Sequence, residues 1–317
     1  MKLVIQIPCY NEEETLPVTL EALPKSLNGI DDIEILIIND GSTDKTVETA
    51  KNYGIKNILD IPHNSGLAKA FSAGLNKALE MGADIIVNTD ADNQYCADDI
   101  EKIIEPIINH DADIVIGTRP VSKIKHFSLL KKILQKIGSY VMRVISSTNV
   151  EDAPSGFRAF SKYAAMRINI FDSYTYTLET IIQARAKQLI VKSVPVRVNS
   201  DLRKSRLVNN MFDYIRRSIF TMLRMFIIYR PFRFFSIIAT IFFATGIVIG
   251  LRFLCYFMSG NGQGHVQSLI LTAILCITGA QIMVIAILSE LFSINRKLLE
   301  DIQRRLKILN LKDNKNE

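Results

Sequence analysis

The sequence contains no tryptophan and only four cysteines among its 317 residues. The cysteines show no paired spacing, and they are Cys9, Cys96, Cys255 and Cys276. They predict neither a disulfide framework nor a metal cluster, which is typical of a reducing compartment. The chain also lacks a glycine-rich dinucleotide fingerprint after its first predicted strand, a phosphate-binding P-loop and a recognisable nucleic-acid motif. These absences disfavour dehydrogenases, P-loop kinases and nucleic-acid-binding proteins.

Charge is missing from two long apolar runs. Residues 234–251 (FFSIIATIFFATGIVIGL) carry no charged side chain, and residues 268–292 carry none before Glu290. Because a helix rises about 1.5 Å per residue, each run is long enough to cross a bilayer core of roughly 30 Å. The runs predict two transmembrane helices, and the alternative is a pair of buried helices in a soluble core. Neither run is a signal peptide, since the chain begins with the strand-like stretch KLVIQIP.

Lysine and arginine are absent from the loop between the runs, SGNGQGHVQ, and frequent on both flanks. The flanking basic residues are Arg216, Arg217, Arg224, Arg230 and Arg233 on one side, and Arg296, Lys297, Arg304, Arg305 and Lys307 on the other. The positive-inside rule then predicts that both termini and the N-terminal globular part are cytoplasmic and that the short loop is external. The net charge of +6, concentrated near these flanks, suits an anionic membrane surface better than nucleic acid.

Strand and helix patterns alternate over the first 120 residues. Short apolar runs such as LVIQIP, IEILIIND and ADIIVN alternate with amphipathic stretches such as GLAKAFSAGLNKALEMG. This order predicts a parallel sheet with helices on both faces. In open sheets of this kind, ligands bind at the carboxyl ends of the strands.

Polar clusters follow four of the predicted strands, at residues 8–12, 39–42, 90–92 and 117–119. One such cluster is ordinary turn chemistry, but four at the same edge of a sheet indicate a site. Asp90 and Asp92 lie one residue apart and repel each other unless a positive charge is near. Their arrangement suits a hard divalent cation such as Mg²⁺, which takes one or two carboxylates and completes its shell with phosphate oxygens and water.

Six motifs together carry a family resemblance. PCYNEE, INDGSTD, HNSGLAKAFSAGLNKA, NTDADNQ, GTR and DAPSGFRAF occur in the order and spacing of family 2 glycosyltransferases with the GT-A fold. More narrowly, the chain resembles the polyprenyl-phosphate hexosyltransferases, the group of dolichol-phosphate mannose synthase and the bactoprenol glucosyltransferases. The resemblance covers about residues 1–210. It implies an α/β, GT-A nucleotide-sugar-binding domain with a mainly parallel sheet, followed by interfacial helices and two transmembrane helices.

The expected domain organisation follows from this resemblance and from the apolar runs. We expect a cytoplasmic catalytic domain at 1–208, an amphipathic interfacial helix region at 209–233, a two-helix anchor at 234–292 and a cytoplasmic basic helix and tail at 293–317. The interfacial region is predicted because apolar residues recur at helical spacing among its arginines. A solvated surface helix is the alternative for that region.

The resemblance also implies roles for the polar residues at the sheet edge. Pro8, Tyr10, Glu12, Asp40, Asp90, Gln94, Lys204 and Arg206 would contact the nucleotide sugar. Asp90 and Asp92 would hold Mg²⁺ or Mn²⁺, with Asp92 binding most directly. Asn39 stands where the family often has an aspartate, which leaves Asp40 as the retained acid of that motif. Packing alone is the alternative for Tyr10.

The acceptor side is assigned in the same way. Arg119, Arg158 and Arg203 would contact the acceptor phosphate, and Asp152 would lie near the transferred sugar. A phosphate monoester has a second pKa of about 6, so it is already a dianion in the cytoplasm and hardly needs a general base. Asp152 therefore has three alternatives: positioning a cation or the sugar, capping a turn, or acting as a base. Arg158 has the alternative of a structural ion-pair partner.

The predicted function is inverting transfer of a hexose from a nucleotide diphosphate sugar, of the UDP-glucose or GDP-mannose type, to polyprenyl phosphate at the cytoplasmic face. The expected partners are these two substrates and the bilayer, and the transmembrane helices offer a surface for homo-oligomers. A processive polysaccharide synthase is excluded, because its Gln-x-x-Arg-Trp motif needs a tryptophan. Two alternatives stay open: transfer to a hydroxyl acceptor, and an inactive nucleotide-sugar-binding scaffold in the membrane.

Overall fold

The computed structural model describes residues 1–120, 140, 150–170, 176–200, 216, 219–220, 223–224, 226–260 and 262–313. The chain forms two compact units. The first comprises Met1–Met222 with Arg304–Glu317, and the second comprises Leu223–Gln303.

The first unit is built on a seven-stranded sheet. Its strands are β1 (Lys2–Cys9), β2 (Asp32–Asp40), β3 (Asn57–Ile61), β4 (Ile85–Asn88), β5 (Ile114–Thr118), β6 (Arg158–Ser161) and β7 (Val191–Pro195). The strand order is β3-β2-β1-β4-β6-β5-β7. Strand β6 is antiparallel to β4 and β5, and the other neighbouring pairs are parallel. All four residues of β4 are buried, as expected for a central strand covered on both faces.

Helices connect these strands. They are α1 (Leu16–Ala22), α2 (Thr46–Asn52), α3 (Leu67–Glu80), α4 (Ile100–Ile108), α5 (Lys162–Ala165) and α6 (Tyr176–Ala186). A 3-10 turn, Ala97–Asp99, precedes α4. Helices α3 and α4 each bury an apolar stripe, with Phe71 and Leu75 on α3 and Ile103 and Ile107 on α4. These stripes follow the helical spacing of apolar residues in the sequence.

The predicted alternation of strands and helices is confirmed over the first 120 residues. Strand β6, inserted between β4 and β5, was not expected from the sequence. It is only four residues long and begins with a charged residue, Arg158, so it carries no apolar run. The sheet is therefore mixed, with one antiparallel strand beside the carboxyl ends of β4 and β5.

The second unit contains two long apolar helices, α7 (Pro231–Met258) and most of α8 (Val266–Asp313). An 18-residue stretch within each of Pro231–Met258 and Val266–Leu309 has a mean hydropathy of 2.3 and 2.4, respectively, so both helices are long and apolar enough to cross a membrane. The helices approach closely at Gly279, where an added Cβ would lie 3.2 Å from the Phe243 ring. Twelve of the 25 residues of the predicted interfacial region, 209–233, lie outside the described residues.

Candidate active site

The loops after β1 and β2 are joined by hydrogen bonds at the carboxyl edge of the sheet. The backbone N–H of Asn11 donates to Ser42 Oγ at 3.0 Å, and the N–H of Thr43 donates to Asn11 Oδ1 at 2.8 Å. Asn11 adopts a φ of 55°, a conformation that asparagine tolerates better than most residues. The first two polar clusters of the sequence therefore form one continuous rim.

The residues on this rim that are predicted to contact the nucleotide differ in their exposure to solvent. The Tyr10 side chain is 40% exposed at the edge, and Pro8 is half-buried at the end of β1. Glu12 is buried, and its Oε2 accepts a hydrogen bond from Thr15 Oγ1 at 2.6 Å. Tyr10 is thus accessible to a ligand. Glu12 contacts Thr15 at the start of α1, and its contact with the nucleotide stays a prediction.

Asp40 holds the beginning of helix α3. Its Oδ1 accepts from the N–H of Ser65 at 2.7 Å, and its Oδ2 accepts from the N–H of Gly66 at 2.9 Å. The carboxylate is buried and accepts from two backbone N–H groups immediately before α3, where the positive end of the helix dipole favours negative charge. Its direct contact with the base or ribose stays a prediction, while its structural contact is on the loop before α3.

Asn39 pairs with the next strand. Its Nδ2 donates to Asp60 Oδ1 at 2.5 Å, and its Oδ1 accepts from the N–H of Ser42 at 3.0 Å. An aspartate at position 39 would place a second carboxylate beside Asp60. The asparagine in this position is therefore explained by its neighbour on β3, a contact that no local sequence pattern reveals.

Beneath the Asp-x-Asp loop lies a buried polar network that the sequence analysis did not identify. Asn88, fully buried at the end of β4, accepts from Gln6 Nε2 at 2.9 Å through its Oδ1. Its Nδ2 donates to the carbonyl of Gly156 and to the hydroxyl of Tyr176, both at 2.9 Å. The signal in the sequence was the occurrence of Gln6 and Asn88 inside otherwise apolar strands, because buried amides require partners.

Asp90 lies against this network, whereas Asp92 shapes the loop beyond it. A Cβ added to Gly156 would lie 3.0 Å from Asp90 Oδ2 and 3.1 Å from the Tyr176 hydroxyl, so a side chain at this position would crowd the carboxylate. Asp92 Oδ1 accepts from the N–H of Gln94 at 3.2 Å, and Asn93 between them has a φ of 51°. The two carboxylates thus have separate environments, and Gln94 is placed by Asp92.

Arg119 and Asp152 form a bidentate ion pair next to Asp90. Arg119 Nε donates to Asp152 Oδ2 at 2.7 Å, and Nη2 donates to Oδ1 at 3.0 Å. The backbone N–H of Arg119 also donates to Oδ2, at 3.2 Å. The side chain of Asp152 is 1% exposed and that of Arg119 is 11% exposed. The structure therefore brings together two residues to which the sequence analysis assigned different partners.

Arg158 occupies a structural position. It is fully buried, and its guanidinium donates to the carbonyls of Ala153, Ser155 and Thr177 and to the hydroxyl of Thr180. These bonds hold the 153–155 turn against α6. The expected contact of Arg158 with an acceptor phosphate is corrected accordingly, because a side chain without solvent exposure and with these partners does not face a substrate.

Burial and charge shift the pKa values of the groups around this pair. Burial lowers the pKa of Arg158 to about 10, and the nearby charge of Arg119 adds to that effect. Burial also raises the pKa of Tyr176 well above its ordinary value, and the charge of Asp90 raises it further. Burial by itself lowers the pKa of Arg119, but Tyr95, Asp152 and Asp90 more than offset this and raise it. Arg119 therefore keeps its positive charge, and its two hydrogen bonds to Asp152 fix the orientation of its guanidinium.

The carboxylates at this edge suit a metal ion that takes most of its ligands from a bound substrate and from water. No group of three His, Cys, Asp or Glu side chains that could hold an ion occurs among the described residues. Two carboxylates, Asp90 and Asp92, match the needs of Mg²⁺ or Mn²⁺ bound together with phosphate oxygens and water. The predicted basic residues Arg203, Lys204 and Arg206 lie outside the described part of the chain.

Known proteins are similar in sequence to this chain. UDP-N-acetylglucosamine–dolichyl-phosphate N-acetylglucosaminyltransferase from Methanococcus voltae is 31% identical over 230 residues, covering 66% of this chain and 90% of the relative. Undecaprenyl-phosphate mannosyltransferase from Micrococcus luteus is 28% identical over 208 residues, covering 62% and 82%.

A solved structure shares the fold. Glucosyl-3-phosphoglycerate synthase from Mycobacterium tuberculosis, crystallised with Mn²⁺, UDP and glucosyl-3-phosphoglycerate, superposes with a TM-score of 0.56 at 16% identity, covering 71% of this chain and 79% of that chain. The first unit therefore has the GT-A fold. The family model "Glycosyl transferase family 2" matches residues 4–168, more than half of the chain. This chain belongs to glycosyltransferase family 2.

Proposed function

We propose that the protein transfers a hexose from a nucleotide diphosphate sugar, of the UDP- or GDP-hexose type, to polyprenyl phosphate at the cytoplasmic face of a membrane. Two relatives of this chain are named for transfer to dolichyl phosphate or undecaprenyl phosphate. The second unit carries two helices apolar enough to reach such a lipid. A lipid acceptor and a membrane-inserted enzyme are consistent with each other, because the prenyl chain stays in the bilayer.

The Arg119–Asp152 pair is the observation that carries this proposal. Both oxygens of Asp152 accept hydrogen bonds from one guanidinium, so this carboxylate is committed to a cation. A general base needs an oxygen available for the proton of a hydroxyl acceptor. A phosphate dianion needs no deprotonation, but it does need a fixed cation. The pair therefore favours a phosphate acceptor over a hydroxyl acceptor.

The proposed reaction is a single in-line displacement. An oxygen of the acceptor phosphate forms a bond to the anomeric carbon while the bond between that carbon and the donor diphosphate breaks. The diphosphate leaves with the electron pair, and no proton moves in this step. The sugar is inverted at the anomeric carbon, and Arg119 offsets the repulsion between two anionic reactants.

Asp92, with Asp90 behind it, would hold a divalent ion on the donor side. When bound, Mg²⁺ or Mn²⁺ neutralises the charge that gathers on the departing diphosphate. Tyr10 at the exposed rim would contact the nucleotide. Asp40 would hold the loop before α3 in place beneath the nucleotide.

An inactive scaffold is the other class of function, and a lipid assay separates it from the proposal. The purified full-length protein is incubated with radiolabelled UDP-glucose, UDP-N-acetylglucosamine or GDP-mannose, and with either polyprenyl phosphate or the matching free polyprenol. We expect label in the lipid extract for one of these donors with the phosphate only.

Labelled lipid from the free polyprenol would instead indicate a hydroxyl acceptor. The absence of labelled lipid with every donor would favour the scaffold.

A further inference from the structure

Asn199 contacts three consecutive carbonyls of the loop that follows Asp92. Its Nδ2 donates to the carbonyl of Asn93 at 2.9 Å and to that of Tyr95 at 3.3 Å. Its backbone N–H donates to the carbonyl of Gln94 at 2.8 Å. A single residue thus fixes three peptide planes in succession, although it lies 106 positions away from Asn93 in the sequence.

The segment that carries Asn199 is itself anchored. Val198 forms an antiparallel bridge with Tyr95, and the N–H of Cys96 donates to the carbonyl of Arg197 at 3.3 Å. Arg197 donates through its backbone N–H and its guanidinium to the buried carboxylate of Asp99. These bonds hold residues 197–198 against residues 95–99. Asn199 therefore keeps a fixed position relative to the loop.

The loop needs this support because its local conformation is unfavourable by itself. Asn93 adopts a left-handed φ of 51°, which costs free energy for a residue other than glycine. Within the loop, the Gln94 N–H donates to Asp92 Oδ1 at 3.2 Å. The amide of Asn199 adds bonds on both sides of this turn.

We infer that Asn199 is a positioning residue for the metal carboxylate Asp92. It acts through the backbone of residues 93–95 and does not touch the ligand itself. Residues that orient a metal ligand typically change metal affinity or activity by about 10- to 100-fold when they are replaced. This inference rests on the proposed function, because it assumes that Asp92 binds a divalent ion together with the donor diphosphate.

Metal binding tests the inference directly. Mn²⁺ binding to the purified full-length protein in the presence of UDP or GDP is followed by the electron paramagnetic resonance signal of free Mn²⁺. We expect Asn199→Ala to weaken Mn²⁺ binding by about tenfold. Asn199→Ser keeps one donor and should lie between the parent and the alanine variant. Asp92→Ala, which removes the carboxylate, should abolish binding.

Asn57→Ala is a matched control. Asn57 lies in the same unit and also donates a side-chain hydrogen bond, to Glu34 Oε2 at 2.9 Å, but at the opposite edge of the sheet. It should bind Mn²⁺ as the parent does. Asn199 is exposed, so its replacement removes no core packing and melting temperatures should stay close to the parent's.

The outcomes separate this inference from the proposed function. If the parent protein binds Mn²⁺ and both Asn199 variants bind it equally well, Asn199 has no positioning role, while the proposed function stands. If an active parent protein binds no Mn²⁺ with either nucleotide, the metal assignment fails and the inference fails with it.

Discussion

Both carboxylate oxygens of the buried Asp152 accept hydrogen bonds from Arg119. This pairing determines the effect of a substitution at Arg119 or at Asp152. The pair has little exposure to water, so each charge depends on the other for stabilisation. Asp90 and the buried Tyr95 contribute further to the electrostatic surroundings of Arg119. Replacing one partner is therefore expected to cost more than replacing both.

A double-mutant cycle measures this dependence. Asp152→Asn should lower the free energy of unfolding by about 3 kcal/mol, because it leaves the Arg119 charge without its partner. Arg119→Met combined with Asp152→Asn should recover most of that loss, since no charge of the pair then remains buried. Thermal unfolding in detergent, followed by circular dichroism, compares the parent, Asp152→Asn, Arg119→Met and the double variant.

Activity behaves differently from stability in the same proteins. The double variant should lose transfer, because it lacks the cation that we propose binds the acceptor phosphate. A loss of about 2–4 kcal/mol in transition-state stabilisation corresponds to roughly 30- to 1000-fold in rate. A double variant that transfers sugar at the parent's rate would remove Arg119 from the reaction.

At the level of elements, the site depends on close contact between the turn after β2 and the loop before α3. Gly41 has a φ of 70°, and an added Cβ would lie 2.6 Å from the backbone nitrogen of Asn64. The neighbouring carboxylate of Asp40 binds the N–H groups of Ser65 and Gly66 in the same loop. The two loops can therefore move only together.

Two glycines with similar backbones separate crowding from strain. Gly82 has a φ of 82°, but nothing lies within 4 Å of an added Cβ. Gly82→Ala should cost about 1 kcal/mol, the usual cost of a left-handed alanine. Gly41→Ala should cost more, because backbone atoms of residues 63–64 must also shift. Equal melting temperatures for the two variants would mean that the loop before α3 adapts freely.

At the scale of the whole molecule, the chain combines a soluble fold with an apolar second unit. Most of the large side chains on α7 and α8 are exposed in the structure, among them Ile237, Val248 and Leu288. Exposed apolar surface of this extent is unfavourable in water and expected in a bilayer. We propose that the second unit spans the membrane twice and that the first unit and the C-terminal basic segment lie in the cytoplasm.

Reporter fusions test this orientation. A reporter that works only in the cytoplasm should be active when it is fused after Glu317. A reporter that works only outside the cell should be active when it is inserted between Gly260 and Gly264. The reason is the lack of lysine and arginine in that loop, compared with their abundance on both flanks. A cytoplasmic signal from the loop insertion would contradict the proposed pair of spans.

The sequence by itself determined the strands and helices of the first 120 residues, the polar edge of the sheet and the two apolar helices. These features depend on local period and composition, which a single sequence displays directly. The family motifs added the GT-A fold. They also marked Arg119 and Asp90 as residues of one site, which the structure places next to each other.

Only the tertiary structure decided which side chains meet. The pairing of Arg119 with Asp152 spans 33 positions, and that of Asn199 with Asn93 spans 106. Arg158 changed from a predicted substrate contact to a buried support, because β6 inserts between β4 and β5. Such contacts depend on strand order and on the direction of each chain segment. Residues far apart in the sequence carry no local pattern that records them.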